Sequence, residues 1–304
     1  LIYDQTCAAE KRRRRKRGLY PDPAKRVFIN ERVCEGCGDC SVKANCVSIE
    51  PLETEFGRKR VINQSSCNKD FSCVDGFCPS FVTVHGGGVR KLRSGADVSS
   101  TVDSLPDPEL PSAESPYGVV VTGVGGTGVV TIGALLGMAA HLEGKGCSIL
   151  DMTGLAQKGG AVISHVRIAE TSDRLHAVRL GMGAADVVLG CDMVVAADDE
   201  ALNRMRRGAT HAVINSRMTP TSHFTLNPDI DFHETHMRQV IRATAGDNLT
   251  DFVDATGLAT ALIGDAIATN LFLTGYAYQR GLIPVSAEAI ARAIELNGIA
   301  VESN

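Results

Sequence analysis

No run of about 18 apolar residues occurs anywhere in the chain, so the sequence offers no candidate for a membrane-spanning helix and a soluble protein is expected. A secretory leader is also missing, which points to a cytoplasmic, reducing setting where disulfides are rare. The glycine-flanked serine of a hydrolase elbow does not occur, nor do the protein-kinase motifs. His233-Glu234-Thr235-His236 has the wrong spacing for a zinc-protease helix and reads as a polar loop. The chain opens on Leu1 rather than Met, and its first segment reads as the inside of a strand. A piece of a longer polypeptide is therefore expected, truncated at one end or both.

The 304 residues are enough for two domains, and a hydrophobic content of 44% can fill at least one sizeable α/β core. Net charge is −4, yet the run Lys11 to Arg17 holds seven of the 31 basic residues, leaving 24 against 35 acidic ones. Such a run by itself suggests nucleic acid. No aromatic side chains interleave with it and the rest of the chain is acidic, so nucleic acid is set aside. Two readings stay open: a solvated helix face, or a cationic surface attracting an acidic electron carrier or a cofactor's phosphates.

Chemistry concentrates between residues 34 and 78, where seven of the ten cysteines fall. Cys34, Cys37 and Cys40 form Cys-x-x-Cys-x-x-Cys, a spacing that wraps backbone around one face of an iron–sulfur cubane, with glycines keeping side chains off the sulfides. The fourth thiolate comes from elsewhere. In bacterial-type ferredoxins it is a cysteine followed by proline in the other half of the module, and Cys78-Pro79 has that form. Cys34, Cys37, Cys40 and Cys78 are thus assigned to one [4Fe–4S] cluster, leaving Cys46, Cys67 and Cys73 for a second. Seven cysteines cannot supply eight ligands. The second site is a three-cysteine cluster, a cluster completed by an oxygen ligand such as Asp70 or Asp75, or no cluster at all. A disulfide framework fits the compartment poorly, and structural zinc uses two Cys-x-x-Cys pairs rather than a triplet.

Val27 to Asn30 and Arg60 to Asn63 read as short strands, each leading into a cysteine segment, an internal echo of the kind a two-cluster ferredoxin fold requires. A glycine-, serine- and proline-rich linker follows, assigned to 91–116. From Tyr117 the pattern becomes strand, glycine loop and helix: Val119 to Val121, then Gly123, Gly125, Gly126, Thr127 and Gly128, then an apolar helix to about His141. Glycines there let backbone approach an anion at a helix N-terminus. Cys147 to Asp151 reads as the next strand, ending in an acidic residue about 20 positions on, as a dinucleotide fold would want. A second loop, Gln157 to Gly160 with Lys158, leads into a strand from Ala161 to Ile168, and the two loops suggest a cleft. Further strands are expected at Met193–Ala196, His211–Ile214 and Phe252–Asp254, and helices at Asp199–Arg206, Leu258–Tyr278 and Ser286–Leu296. This alternation predicts an α/β fold with a mostly parallel sheet. His165, inside a strand, reads as a hydrogen-bonded structural histidine.

Longer motifs carry a resemblance. Ile2 to Arg17, Cys34 to Cys40, Glu53 to Arg60, Ser66 to Asp70 and Gly76 to Ser80 together resemble the fused indolepyruvate:ferredoxin oxidoreductases, over essentially the whole chain. The resemblance implies that 1–26 is the end of a thiamine-diphosphate-binding domain, 27–90 a ferredoxin-like [4Fe–4S] module, and 117–304 a γ-type domain shared with pyruvate:ferredoxin oxidoreductases. It implies an enzyme that decarboxylates an aryl 2-oxoacid on thiamine diphosphate and magnesium, passes electrons singly through iron–sulfur clusters to ferredoxin, and gives the acyl group to coenzyme A. The thiamine site lies mostly upstream in that family, so no residue here is assigned as catalytic and the fragment alone should not turn over. The expected partners are ferredoxin, the oxoacid, coenzyme A, the rest of the polypeptide and further copies in a homo-oligomer. Gly123, Gly125, Gly126, Thr127, Gly128 and Lys158 would then hold the phosphate end of coenzyme A. The rival readings are an NAD-binding dehydrogenase subunit with an attached ferredoxin module and a non-catalytic electron-transfer protein; a third possibility for the glycines is helix packing alone.

Overall fold

The computed structural model describes residues 2, 4, 6–87, 105–154, 160–219, 224, 227 and 229–298. The chain divides into two compact units: Leu1–Lys91 with Gln157–Gly159 and Pro220–Asp231 in the first, and Leu92–Ala156, Gly160–Thr219 and Phe232–Asn304 in the second. Most of the expected linker lies outside the described residues. No helix among the described residues is long and apolar enough to cross a membrane.

The first unit begins with helix α1 (Ala8–Lys16), followed by β1 (Lys25–Ile29), α2 (Asp39–Ala44), the hairpin β2 (Ile49–Thr54) and β3 (Gly57–Ile62), a 3₁₀ turn at Ser72–Val74, and β4 (Phe81–His85). β1 pairs antiparallel with β4, and β2 with β3, giving two small two-stranded sheets. Its buried core is small: Val27, Ile29, Cys34, Ile49 and Ile62, with Cys40, Cys46, Cys67 and Cys73 packed against them. A core of this size rarely holds a domain together without a disulfide or metal staple. All seven cysteines of the module are free thiols.

The basic run forms α1, and it is not merely a solvated face. Arg12 Nη1 donates to the Ser66 carbonyl at 2.9 Å and Arg15 Nη1 to the Asn68 carbonyl at 2.5 Å, the residues on either side of Cys67. Arg13, Arg14 and Arg17 remain exposed.

The second unit is a six-stranded sheet with helices on both faces: β5 (Tyr117–Val124), β6 (Gly146–Thr153), β7 (Ala161–Ala169), β8 (Val187–Gly190), β9 (His211–Asn215) and β10 (Thr250–Val253), in the order β10-β9-β8-β5-β7-β6. β10, β9, β8 and β5 run parallel to one another, while β7 runs antiparallel to both β5 and β6. Side chains alternate across the sheet as strand geometry requires. Val119, Val121, Leu189 and Val213 lie in one core, with α3 (Val129–Leu142), while Val120, Val188, Ala212 and Ile214 lie in the other.

Four expectations need correction. Met193–Ala196 is not a strand but a short helix, α4, because the Asp192 carboxylate accepts from the N–H groups of Val194 and Val195; the apolar run just before it, Val187–Gly190, takes the strand position. The helix expected over Asp199–Arg206 is only one turn, α5 (Asp199–Leu202). His233 to His236 is not a loop: His233 is the N-cap of α6 (Glu234–Ala245). The helix expected over Leu258–Tyr278 is two, α7 (Ala255–Ile263) and α8 (Thr269–Gln279), parted by Gly264 in the left-handed region. The last helix, α9, covers Ala287–Asn297.

One stability test follows from the glycines. A Cβ on Gly146 would sit 2.5–2.6 Å from backbone atoms of Thr171 and Ser172, whereas one on Gly275, within α8, meets open space. Urea unfolding should show Gly146→Ala destabilising by about 1–3 kcal/mol and Gly275→Ala stabilising by ~0.5–1 kcal/mol.

Candidate functional site

The two halves of the cysteine module use one backbone design twice. After β1, the Asn30 carbonyl accepts from Cys34 N–H at 3.0 Å while its side-chain oxygen accepts from Arg32 N–H. After β3, the Asn63 carbonyl accepts from Cys67 N–H at 3.0 Å while its side-chain oxygen accepts from Ser65 and Ser66 N–H. Both are asparagine-initiated turns that aim the first thiol of a loop. At the next ligand position, Gly36 and Gly38 flank Cys37 with φ of 82° and 81°; in the second loop, Lys69 and Phe71 flank Asp70 with φ of 56° and 64°. At the third, Cys40 is the second residue of α2 and Cys73 the second of the 3₁₀ turn.

Glycine is required at Gly36, where a Cβ would collide with the Arg58 carbonyl as well as adopt a left-handed backbone. Lys69 and Phe71 hold the same backbone against a cost of roughly 1–2 kcal/mol each for residues bearing a Cβ. Non-glycine strain of this kind collects at functional sites.

The halves are then cross-tied. Asn30 N–H donates to the Ser80 carbonyl and Asn63 N–H to the Ser48 carbonyl, each at 2.8 Å. Ser80 lies two residues after Cys78 and Ser48 two after Cys46, so the turn that opens each triplet is fastened beside the last cysteine of the other half. That is the exchange by which a two-cluster ferredoxin completes each ligand set.

Electrostatics sorts the thiols into the same groups. Burial, then the neighbouring Cys34 and Cys37 sulfurs, pushes the Cys40 thiol up to about 11, with Arg60 opposing. Burial, then Cys46, Cys67 and the Asp70 carboxylate, pushes Cys73 up to about 12. A bound iron displaces such protons outright. Cys46, Cys67, Asp70 and Cys73 line one small cavity of about 10 Å³, walled by Val27, Ile49 and Ile62. Asp75 is not among its lining residues. Cys78 is exposed, its sulfur 3.0 Å from the Ser80 hydroxyl. Among the described residues no three histidine, cysteine or acidic side chains close on a point that would hold a single metal ion; a cubane spreads its ligands, since each binds a different iron. The donor set, at least three soft thiols in each group with left-handed backbone around the middle position of each loop, fits such a cluster.

In the second unit, the glycine loop follows the C-terminal end of β5. β6 lies to one side of β5 and β8 to the other, so the loop sits at a topological switch point. Gly123 is a packing glycine: a Cβ there would meet Val129 and Cys191. Gly125 N–H donates to the Gly160 carbonyl at 2.7 Å, just before β7, and Thr127 N–H to Val124, so these donors are taken. Gly126 and Gly128 have φ of 86° and 104°. Gly128 caps α3, whose first turn receives no side-chain cap, leaving its N–H groups for solvent or an anion. Lys158 lies outside the described residues. Asp151 is not placed for a dinucleotide ribose, because β7 separates β6 from β5 and Asp151 pairs with Ser164 in mid-strand.

Residues not singled out from the sequence also line this end of the sheet. Asn270 Nδ2 braces the loop through the Thr127 carbonyl at 3.2 Å, and Asn215 Nδ2 bonds the Cys191 carbonyl and Thr256 Oγ1. Asp192, nearly fully buried, accepts from Val194, Val195 and Thr219 N–H, and burial lifts its carboxyl to about 6. Lone polar residues after strands carry no spacing signal, so only the fold assembles them. His165 corrects an expectation: it is fully buried with neither ring nitrogen hydrogen-bonded, and burial, then Arg204 and Arg179, lowers its pKa and keeps it neutral.

IorB, an indolepyruvate oxidoreductase subunit of Thermococcus kodakarensis, is 30% identical over 185 residues, which is 60% of this chain and 86% of that one. The IorB subunit of Pyrococcus horikoshii is 29% identical over 181 residues, again 60% and 86%. Among solved structures, the pyruvate oxidoreductase subunit PORC of Thermotoga maritima is 19% identical, with a TM-score of 0.43, covering 62% of this chain and 90% of that one. Residues 118–304, more than half of the chain, match the model of the pyruvate ferredoxin/flavodoxin oxidoreductase family, and the chain belongs to that family.

Proposed function

We propose that this chain carries the electron-exit clusters and the acyl-acceptor site of an aryl 2-oxoacid:ferredoxin oxidoreductase whose thiamine-diphosphate domain precedes it. The observation that carries the proposal is the doubled ligand loop, from Asn30 to Cys40 and from Asn63 to Cys73, on the same chain as a domain of this family. Bound there, iron–sulfur clusters supply one-electron steps that no side chain can, while thiamine diphosphate and magnesium serve the decarboxylation upstream.

The chain's own residues do three things. Cys34, Cys37, Cys40 and Cys78 hold one cluster as soft thiolates, with glycines at 36 and 38 clearing the approach. Arg60, buried near Cys40, and Arg12, near Cys67, set a positive charge beside each ligand group, favouring the more negative, reduced state. The loop from Gly123 to Gly128 and the uncapped start of α3 receive the phosphate end of coenzyme A, with Lys158 as its compact cation. Coenzyme A is preferred to NAD because the family's electrons go to an iron–sulfur acceptor, and because Asp151 is two strands from β5. The reading makes the protein a cytoplasmic homo-oligomer, fed by an aryl 2-oxoacid and drained by ferredoxin.

Anaerobically purified protein should contain iron and sulfide and, on reduction, show a low-potential [4Fe–4S] EPR signal. Cys37→Ala should remove about four irons per chain. Iron-free protein with stoichiometric zinc would overturn the cluster reading. In the full-length enzyme, Gly128→Ala should raise KM for coenzyme A roughly tenfold, as expected for disturbing one or two charge-assisted N–H contacts, with KM for the oxoacid unchanged. An unaltered coenzyme A KM in folded enzyme would reduce the glycines to packing, and calorimetry showing tighter binding of NAD than of coenzyme A would favour the dehydrogenase.

A further inference from the structure

The structure assigns Asp70 as the eighth ligand: Cys46, Cys67, Asp70 and Cys73 hold a second [4Fe–4S] cluster, with one iron bound through a carboxylate oxygen. The assignment rests on reading the module as an iron–sulfur carrier and adds to it the identity of the missing donor.

Three independent features converge on Asp70. Its place in the second loop is that of Cys37 in the first: 67, 70 and 73 advance by the same steps as 34, 37 and 40, each triplet entered through the same asparagine turn. The backbone is left-handed on both sides of it, as it is around Cys37, although glycine supplies that conformation only in the first loop. The conformation seats Phe71 on the module's core and turns the Lys69 N–H toward the Cys67 sulfur at 3.4 Å, and it is also the one a loop needs to bring its central side chain onto a cluster. Asp70 also lines the same cavity as Cys46, Cys67 and Cys73, which Asp75 does not. The Ser72 N–H and hydroxyl both bind Asp70 Oδ1, at 3.2 and 3.0 Å, which orients the carboxylate and leaves Oδ2 for iron.

A carboxylate is a harder donor than thiolate and holds a cluster iron less firmly among sulfides. It is also exposed at this position. The iron on Asp70 should therefore be the first to leave on oxidation. With ferricyanide as oxidant, [4Fe–4S]²⁺ gives up one electron and one Fe²⁺, leaving [3Fe–4S]⁺ on the three thiolates and the carboxylate free.

The test uses the whole anaerobically purified chain, with iron, sulfide and EPR as readouts. Wild type should hold about eight irons, and brief ferricyanide treatment should release about one, with the signal of an oxidised three-iron cluster appearing. Asp70→Ala should lower the iron content while Asp75→Ala leaves it unchanged. Asp70→Cys guards against a folding failure of the alanine variant: it should keep a full complement of iron and release none under the same treatment. Unchanged iron in Asp70→Ala, or undiminished release from Asp70→Cys, would overturn the assignment. A wild-type content of only about four irons would also overturn it while leaving the first cluster intact. Complete absence of iron would instead defeat the iron–sulfur reading on which it rests.

Discussion

Two backbone hydrogen bonds, Asn30 N–H to the Ser80 carbonyl and Asn63 N–H to the Ser48 carbonyl, are what the cysteine module depends on. Each fixes the start of one ligand triplet to the segment that carries the last cysteine of the other. Among the described residues five buried side chains make up the module's apolar core, which is little burial to hold those segments together. The cross-ties and the ligand loops must do it, and a cluster bridging the two halves would serve as both core and staple. This explains why thiols sit where a larger domain would place leucines: Cys40, Cys46, Cys67 and Cys73 pack directly on Ile49, Ile62 and their neighbours.

The basic helix belongs to the same scheme. Arg12 and Arg15 reach the carbonyls flanking Cys67, so α1 braces the second loop, the one built without glycine. The first loop needs no such brace, because Gly36 and Gly38 adopt its backbone freely and Gly36 packs against the Arg58 carbonyl. Local propensity supplies one loop and tertiary contact the other.

What was legible in the sequence follows this division. The triplet Cys34, Cys37, Cys40 and the Cys78-Pro79 pair announce themselves because spacing and glycine both speak. Asp70 was one of two acidic candidates: its spacing between Cys67 and Cys73 matches that of Cys37, but Lys69 and Phe71 give no hint of a left-handed backbone, and the fold adds the shared cavity that Asp75 lacks. In the second unit the strand–loop–helix unit at β5 and the largely parallel sheet were readable from alternation. The antiparallel insertion of β7 was not, because a buried strand reads the same in either direction, and it is what removes Asp151 from the place a dinucleotide fold would give it. Val187–Gly190 and Met193–Ala196 are both short apolar runs, and only the carboxylate of Asp192 decides which becomes helix.

The two ligand groups end up alike in charge and unlike in hardness. A carboxylate in place of a thiolate keeps the formal charge of the ligand set, but basic side chains are shared unevenly: Arg60 lies beside Cys40, whereas Arg12 lies beside Cys67 and Arg26 and Lys69 line the cavity of the second group. What also differs is the middle donor and its surroundings: in the first loop a thiolate between glycines, in the second an exposed carboxylate held through Ser72. On the proposed reading, the harder donor would set the order in which the irons respond to oxidant. The departure from cysteine at residue 70 is in this view a functional asymmetry built on a symmetric backbone.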